Sequence, residues 1–245
     1  MKHLRSLSQK KFREISGEFL MEGVRLCEEA LDSPLALTWF IHTQAHKDHP
    51  LVKKAHQRGL SVFRATQLQF SQFCDSKSPQ GVAVVAKIPA PSKPPVPTQV
   101  KIVLALDRLA DPGNVGTILR SARWFGVTEV VLSADCVDVY NPKVVRSSMG
   151  AIGYLHLYLG PDLEAFARQW LEQNGQVAVL SMAGEDLSDY QPPDGGLLLI
   201  TGSEAHGVSA AVERLGTGLT IQRHGSGESL NAAMTTSIAL WHLTR

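Results

Sequence analysis

Beyond residue 101, short apolar runs alternate with helical stripes, and this alternation narrows the fold more than any other feature of the chain. The runs lie at 102–106, 129–133, 155–159, 177–180 and 197–201, and most are apolar at nearly every position. Such runs read as strands buried on both faces, whereas a strand with one wet face alternates apolar and polar residues. Between them the spacing predicts helices over 115–125, stopped by Gly126, and over 142–149. A further stripe of Leu163, Phe166, Ala167, Trp170 and Leu171 stops near Gly175, and Leu230, Met234, Ile238 and Trp241 mark a terminal helix. Strand and helix in regular succession give an α/β fold, a parallel sheet covered by helices on both sides. Ligands of such sheets sit beyond the carboxyl ends of the strands, so the loops there are the candidate site.

A proline-rich segment, IPAPSKPPVPTQV at 88–100, carries five prolines and no apolar period, and reads as a stiff extended linker. It divides the chain into residues 1–88, a linker at 89–100 and residues 101–245. In the first part, Leu20, Val24, Cys27 and Leu31 recur at helical spacing and predict a helix over 18–31. Strands are expected at 35–42, 61–64 and 81–88, with a helix over 51–58 that ends near Gly59. Together these make a small α/β domain.

Charge is unevenly placed. Residues 1–100 hold 14 Lys and Arg against 8 Asp and Glu, and the rest of the chain holds 10 against 15, within a net charge of +1. The basic part, with Lys10, Lys11, Arg13, Lys53 and Lys54, suits a polyanion, and the chemistry is then expected in the second part. With 44% hydrophobic and 19% charged residues the chain can bury a core. The opening MKHLRSLSQKKFREISG is basic with no apolar stretch after it, which does not fit a secretory signal. No run approaches the roughly 18 apolar residues of a membrane helix. Cys27, Cys74 and Cys136 are scattered, forming neither a disulfide framework nor a metal pair. A cytoplasmic protein without a metal centre is expected.

Three strand-end loops carry glycine. The first, after 102–106, runs Asp107 to Arg120 through DPGNVG. Asn114 suits a helix N-cap, Gly116 permits close backbone approach, and Arg120 lies early in the helix where an anion can sit. The second, LITGSEAHG, sets Glu204 between Gly202 and Gly207; His206 reads as a loop residue because no partners stand at metal spacing. The third, IQRHGSGESLN, opens the last helix, with Ser229 or Glu228 as cap and Asn231 in the first turn. No G-x-G-x-x-G follows a strand, no G-x-x-x-x-G-K-[ST] is present, and there is no G-x-S-x-G elbow.

At these loops the chain resembles the SpoU/TrmH family of RNA ribose 2′-O-methyltransferases, in the SPOUT superfamily, through DPGNVGTILRSARWFGV, LLLITGSEAHGVS and SLNAAMTTSIALWHLTR. KFREISGEFLMEGVRLCEEAL and SPQGVAVVA are similar to the ribosomal-protein-like RNA substrate-binding domain often fused ahead of that catalytic domain. The resemblance implies a trefoil-knotted SPOUT sheet in 101–245, a homodimer with the active site between catalytic domains, and S-adenosyl-L-methionine as cofactor. By position, Gly202, Ile221 and Leu230 line the cofactor, with Thr201 and Asn231 beside them. Catalytic or RNA-positioning work falls on Asn114, Arg120, Glu204, Ser229 and Asn231. The family proposal makes the arginine a general base. A guanidinium holds its proton far above neutral pH, so an electrostatic clamp on the phosphate and the developing alkoxide is the better reading of Arg120. The third motif commonly opens with Ile-Pro; here it reads Ile221-Gln222-Arg223-His224, which sets two cationic candidates near the RNA.

Ribosomal RNA is the expected substrate, because the N-terminal domain accompanies the catalytic one. The competing readings are a transfer-RNA ribose methyltransferase, a non-catalytic RNA-binding module of the same fold, and a doubly wound oxidoreductase. The last lacks the glycine fingerprint.

Overall fold

The computed structural model describes all residues except Ser92, Ala205, Gly227 and Glu228. Residues 1–90 form α1 (Lys2–Ser6), α2 (Lys10–Ser16), β1 (Glu18–Glu22), α3 (Val24–Asp32), β2 (Leu37–Thr43), α4 (Pro50–Gln57), β3 (Ser61–Ala65), α5 (Gln67–Ser71) and β4 (Val82–Lys87). Beyond them follow β5 (Ile102–Asp107), α6 (Pro112–Trp124), β6 (Glu129–Leu132), α7 (Pro142–Ser147), β7 (His156–Leu159) and α8 (Leu163–Glu172). The chain closes with β8 (Gln176–Asp186), β9 (Leu197–Gly202), α9 (Ala210–Glu213), β10 (Thr217–Thr220) and α10 (Ala232–Leu243). No described helix is long and apolar enough to cross a membrane.

Contacts divide the chain into two units, Met1–Ala90 with Asp138–Tyr154, and Pro91–Val137 with Leu155–Arg245. The first unit is a four-stranded mixed sheet in the order β1-β4-β2-β3, with only β2 and β3 parallel. The helix expected over 18–31 is in fact a strand and a shorter helix. Phe19 and Met21 alternate inward on β1, and Gly23, at φ 104°, turns the chain into α3. The short helices α1, α2 and α5 span only one or two turns, too few for a periodic signal.

The segment Asp138–Tyr154 packs with this unit because it is amphipathic in its own right. Val139, Val144, Val145 and Ile152 are buried, and Tyr140 lies 4.8 Å from Phe19 ring to ring. Arg13, expected on the RNA-facing surface, is only 2% exposed; it pairs with Asp138 and donates to the Leu7 carbonyl. Lys54 is held 2.6 Å from Asp32, so the free cations of the basic part are fewer than its composition suggests.

The second unit is an all-parallel six-stranded sheet in the order β10-β8-β9-β5-β6-β7. From β5 the chain moves outward through β6 to β7, then crosses to β8 and β9 on the other side. The strand order therefore reverses between β5 and β9. All six residues of β5 are buried, as its unbroken apolar run requires. The second half of the proline-rich segment is not a free linker. Pro97 is buried, in space left by the missing side chains of Gly175 and Gly196 and beside Trp170.

α10 departs from expectation in its facing. Of the expected stripe, Met234, Ile238 and Trp241 point outward from α10 at 57%, 38% and 51% exposure, and Leu230, 45% exposed, precedes the helix and its N-cap. The buried face is the small-residue side, with Ala232, Ala233, Thr236, Ala239 and Leu240. A helix apolar on both faces offers no single stripe for sequence periodicity to orient.

Candidate active site

β5 and β9 run side by side to their carboxyl ends, with Leu106 opposite Thr201 and Asp107 opposite Gly202. Their following loops leave at the point where strand order reverses, the place a ligand is expected in such a sheet. Several buried groups fix the first loop. The Asp107 carboxylate accepts from the Ser209 amide at 2.7 Å, tying β5 to the segment before α9. Arg108 adopts φ 56°, and its amide donates to the Ser133 hydroxyl at 2.9 Å. The Cys136 thiol donates to the Leu106 carbonyl at 3.3 Å; burial pushes its pKa up, which keeps the donating proton in place. Sequence alone gave no sign of Asp107, Arg108 or Cys136 as supports, because each acts through tertiary contacts.

α6 begins at Pro112, three residues before the expected start. Asp111, not Asn114, is its N-cap, its carboxylate accepting the Asn114 amide at 2.8 Å, and Pro112 takes the first helical position where no N–H is needed. The Asn114 side chain is thereby freed. It donates to Glu204 Oε1 at 3.0 Å and accepts from Asn231 Nδ2 at 2.9 Å. Asn231 Nδ2 also donates to Glu204 Oε1 at 2.7 Å, and the Ala232 amide reaches the same oxygen at 3.1 Å. Asn231 is the N-cap of α10 rather than a first-turn residue, its Oδ1 accepting the amides of Ala233 and Met234 at 3.0 and 3.3 Å. Three loops far apart in sequence thus close on one carboxylate oxygen. The other oxygen of Glu204 has no protein partner among the described residues.

The structure does not bring Arg120 or Ser229 into this cluster. Ser229 is exposed, and the alternative cap Glu228 lies outside the described residues. Arg120 is exposed and makes no hydrogen bond or ion pair among the described residues. It follows Pro112 by eight residues, about 12 Å along the helix and a turn further than a start at residue 115 would put it. It shares a face of α6 with Trp124, four residues on, which is 83% exposed.

Of the residues assigned to the cofactor, Thr201 is 3% exposed and its hydroxyl lies 3.1 Å from that of Thr236 on α10, so only its main chain can meet a ligand. Ile221 is partly exposed and Leu230 exposed; their main-chain groups make no hydrogen bonds among the described residues. Free main-chain donors and acceptors beside an exposed apolar side chain fit a ligand with a polar heterocycle and an aliphatic arm, as S-adenosylmethionine has.

Gly202 is required for a reason distinct from direct ligand contact. A Cβ there would stand 2.2 Å from the Gly207 carbonyl carbon and 2.3 Å from the Val208 nitrogen. The loop doubles back on its own strand, with Ser203 bridged to Gly207. Gly202→Val must therefore displace the loop that carries Glu204. Such overpacking typically costs about 1–3 kcal/mol, so titration calorimetry is expected to show S-adenosylmethionine affinity reduced about tenfold. Unchanged affinity would place the cofactor elsewhere.

Comparison with known proteins follows the same outline. Residues 101–241 match the model of the SpoU rRNA Methylase family, and residues 1–84 that of the MRM3-like substrate binding domain. The chain is 31% identical, over 99% of its length and 95% of the relative's, to a 23S rRNA (guanosine(2553)-2′-O)-methyltransferase of Bacillus subtilis. It is 29% identical, over 98% and 86%, to a 23S rRNA (uridine(2479)-2′-O)-methyltransferase of Streptomyces viridochromogenes. An AdoMet-bound rRNA methyltransferase from Sinorhizobium meliloti superposes with a TM-score of 0.84 at 26% identity, covering 98% of this chain and 92% of that one.

Proposed function

The chain belongs to the SpoU rRNA methylase family, and from that membership we propose how its residues divide the work of methylating a ribose in ribosomal RNA. The enzyme is an S-adenosylmethionine-dependent RNA 2′-O-methyltransferase. The cofactor supplies an electrophilic methyl group on a sulfonium. Gly202, Ile221 and Leu230 hold it through main-chain groups, with Thr201 and Asn231 as neighbours. Asn114, Glu204 and Asn231 set the mutual position of the three loops, and Ser229 orients the ribose. Arg120 holds the RNA phosphate and the alkoxide that develops as the 2′-hydroxyl loses its proton. The observation that carries this reading is the closure of all three loops on Glu204 Oε1, at the strand-order reversal.

The molecule acts as a homodimer on this reading, in the cytoplasm. Support comes from the outward stripe of α10 and from Trp124, which together leave large apolar side chains in water. Arg120 stands on the Trp124 face and makes no bond to its own chain's cluster among the described residues, so pairing through that face would let it serve the site of the second copy. The chain also returns from the sheet edge at β10 to pack α10 on α6 near the centre, the course a knotted C terminus requires. Light scattering is expected to give twice the mass of one chain for the native protein, and a single-chain mass for Trp124→Glu combined with Ile238→Glu, with methylation lost. A native monomer that methylates RNA would overturn the dimer.

The relatives act on a guanosine and a uridine. Membership of the family therefore does not fix the target base. The decisive test of substrate class is mass spectrometry of ribosomal RNA nucleosides from cells with and without the protein. One 2′-O-methylnucleoside is expected to vanish from ribosomal RNA; a loss confined to transfer RNA would favour the competing substrate.

A further inference from the structure

The first unit contains a cavity of about 150 Å³ that the catalytic reading leaves unused. A space of roughly this size accepts one six-membered aromatic ring. Its apolar wall is built by Leu20, Leu26, Phe73 and Val145, the last contributed by α7. Its polar rim is built by Arg5, Gln72, Asp75 and Arg146.

We propose that this cavity takes a single unpaired base of the substrate RNA, and so contributes to choice of the modified site. The inference rests on the enzyme's acting on RNA. RNA-binding proteins read sequence chiefly from splayed-out bases, which bury a flat apolar ring and offer donors and acceptors on one edge. The cavity presents both halves of that description. The charged groups of the lining balance, Arg5 and Arg146 against Glu22 and Asp75, so the cavity has no positive excess to favour a phosphate. Glu22 is a fixed carboxylate in the lining, its oxygens accepting the amides of Asp75 and Ser76 at 2.9 Å each, and Asp75 stands beside it.

The outer rim contacts can exchange partners. Arg5 donates to Gln72 Oε1 at 2.6 Å and Arg146 reaches Asp75 at 2.9 Å, both in exposed or half-exposed pairs, while Arg146 Nη1 also faces the nearly buried Glu22 carboxylate at 3.6 Å and is anchored there. Such surface pairs contribute little stability, so exchanging one for a base edge costs little. An arginine and a carboxylate side by side supply a donor pair and an acceptor pair, enough to tell one base edge from another.

The test uses the full chain with methyl-labelled Leu and Val. Uridine, cytidine, adenosine and guanosine are titrated separately, and inorganic phosphate is the control. At least one nucleoside is expected to shift the Leu20, Leu26 and Val145 methyl resonances, with phosphate leaving them in place. The exposed rim variants Gln72→Ala and Asp75→Ala are expected to weaken those shifts and to raise the KM for RNA about tenfold, with S-adenosylmethionine affinity held. Shifts by phosphate alone, or no nucleoside shift at these methyls, would overturn the pocket. Nucleoside shifts in a protein that methylates no RNA would instead overturn the catalytic reading and leave the pocket standing.

Discussion

Arg120→Ala is expected to lower the single-turnover methylation rate on the order of 100- to 1,000-fold while S-adenosylmethionine still binds with native affinity. The ribose hydroxyl is neutral when it docks and gains negative charge only as its oxygen attacks. A cation placed for that charge contributes to the transition state and not to cofactor binding. The side chain has no structural duty to confuse the outcome, being exposed and without a bonded partner among the described residues. Arg120→Lys keeps the charge but loses the planar fork that can grip a phosphate and an alkoxide together, so it should be nearly as slow as alanine. The pH profile separates clamp from base. With a clamp, the rate rises with hydroxide over a wide range in wild type and both variants. A base of depressed pKa gives wild type a plateau that Arg120→Lys lacks. A near-native rate in Arg120→Ala would remove this residue from the chemistry.

The architecture of the second unit was legible because burial on both faces writes itself into β5 and β9 as unbroken apolar runs. What stayed hidden follows from the same physics. In β1 the pattern Phe19, Met21 has period two, yet Leu20, Val24 and Cys27 also fit a helix, and only the positive φ of Gly23 decides between them. In α10 both faces are apolar, so the stripe that reads as core is the one left in water. At α6 the cap signal was present in Asp111-Pro112, but the glycine loop drew the start toward Asn114. The site residues Asn114, Glu204 and Asn231 were named through family resemblance. Their shared oxygen is a tertiary fact that no local spacing encodes. The charge excess before residue 100 overstated the free basic surface, because burial of Arg13 and pairing of Lys54 depend on Asp138 and Asp32.

Asn231→Asp should abolish most activity, on the order of a 100-fold loss, without unseating α10. Aspartate is as good an N-cap as asparagine, so the bonds to Ala233 and Met234 survive and thermal stability of the helix should hold. The cluster fares differently. Nδ2 now donates to Glu204 at 2.7 Å and to Asn114 at 2.9 Å; an aspartate oxygen in its place donates to neither and sets a second negative charge against Glu204. Both groups are exposed, so water screens the repulsion itself to about 1 kcal/mol or less; the larger effect is the loss of both donated bonds, which lets the loops separate. Combined with Arg120→Ala, this variant also tests the dimer. If Arg120 serves the opposite copy, a mixed dimer of Arg120→Ala and Asn231→Asp chains holds one site with an intact arginine and an intact cluster. Random mixing of two inactive proteins should then recover about a quarter of native activity, since half the dimers are mixed and half their sites are whole. If Arg120 serves its own chain, every site in the mixture carries one lesion, and mixing recovers nothing.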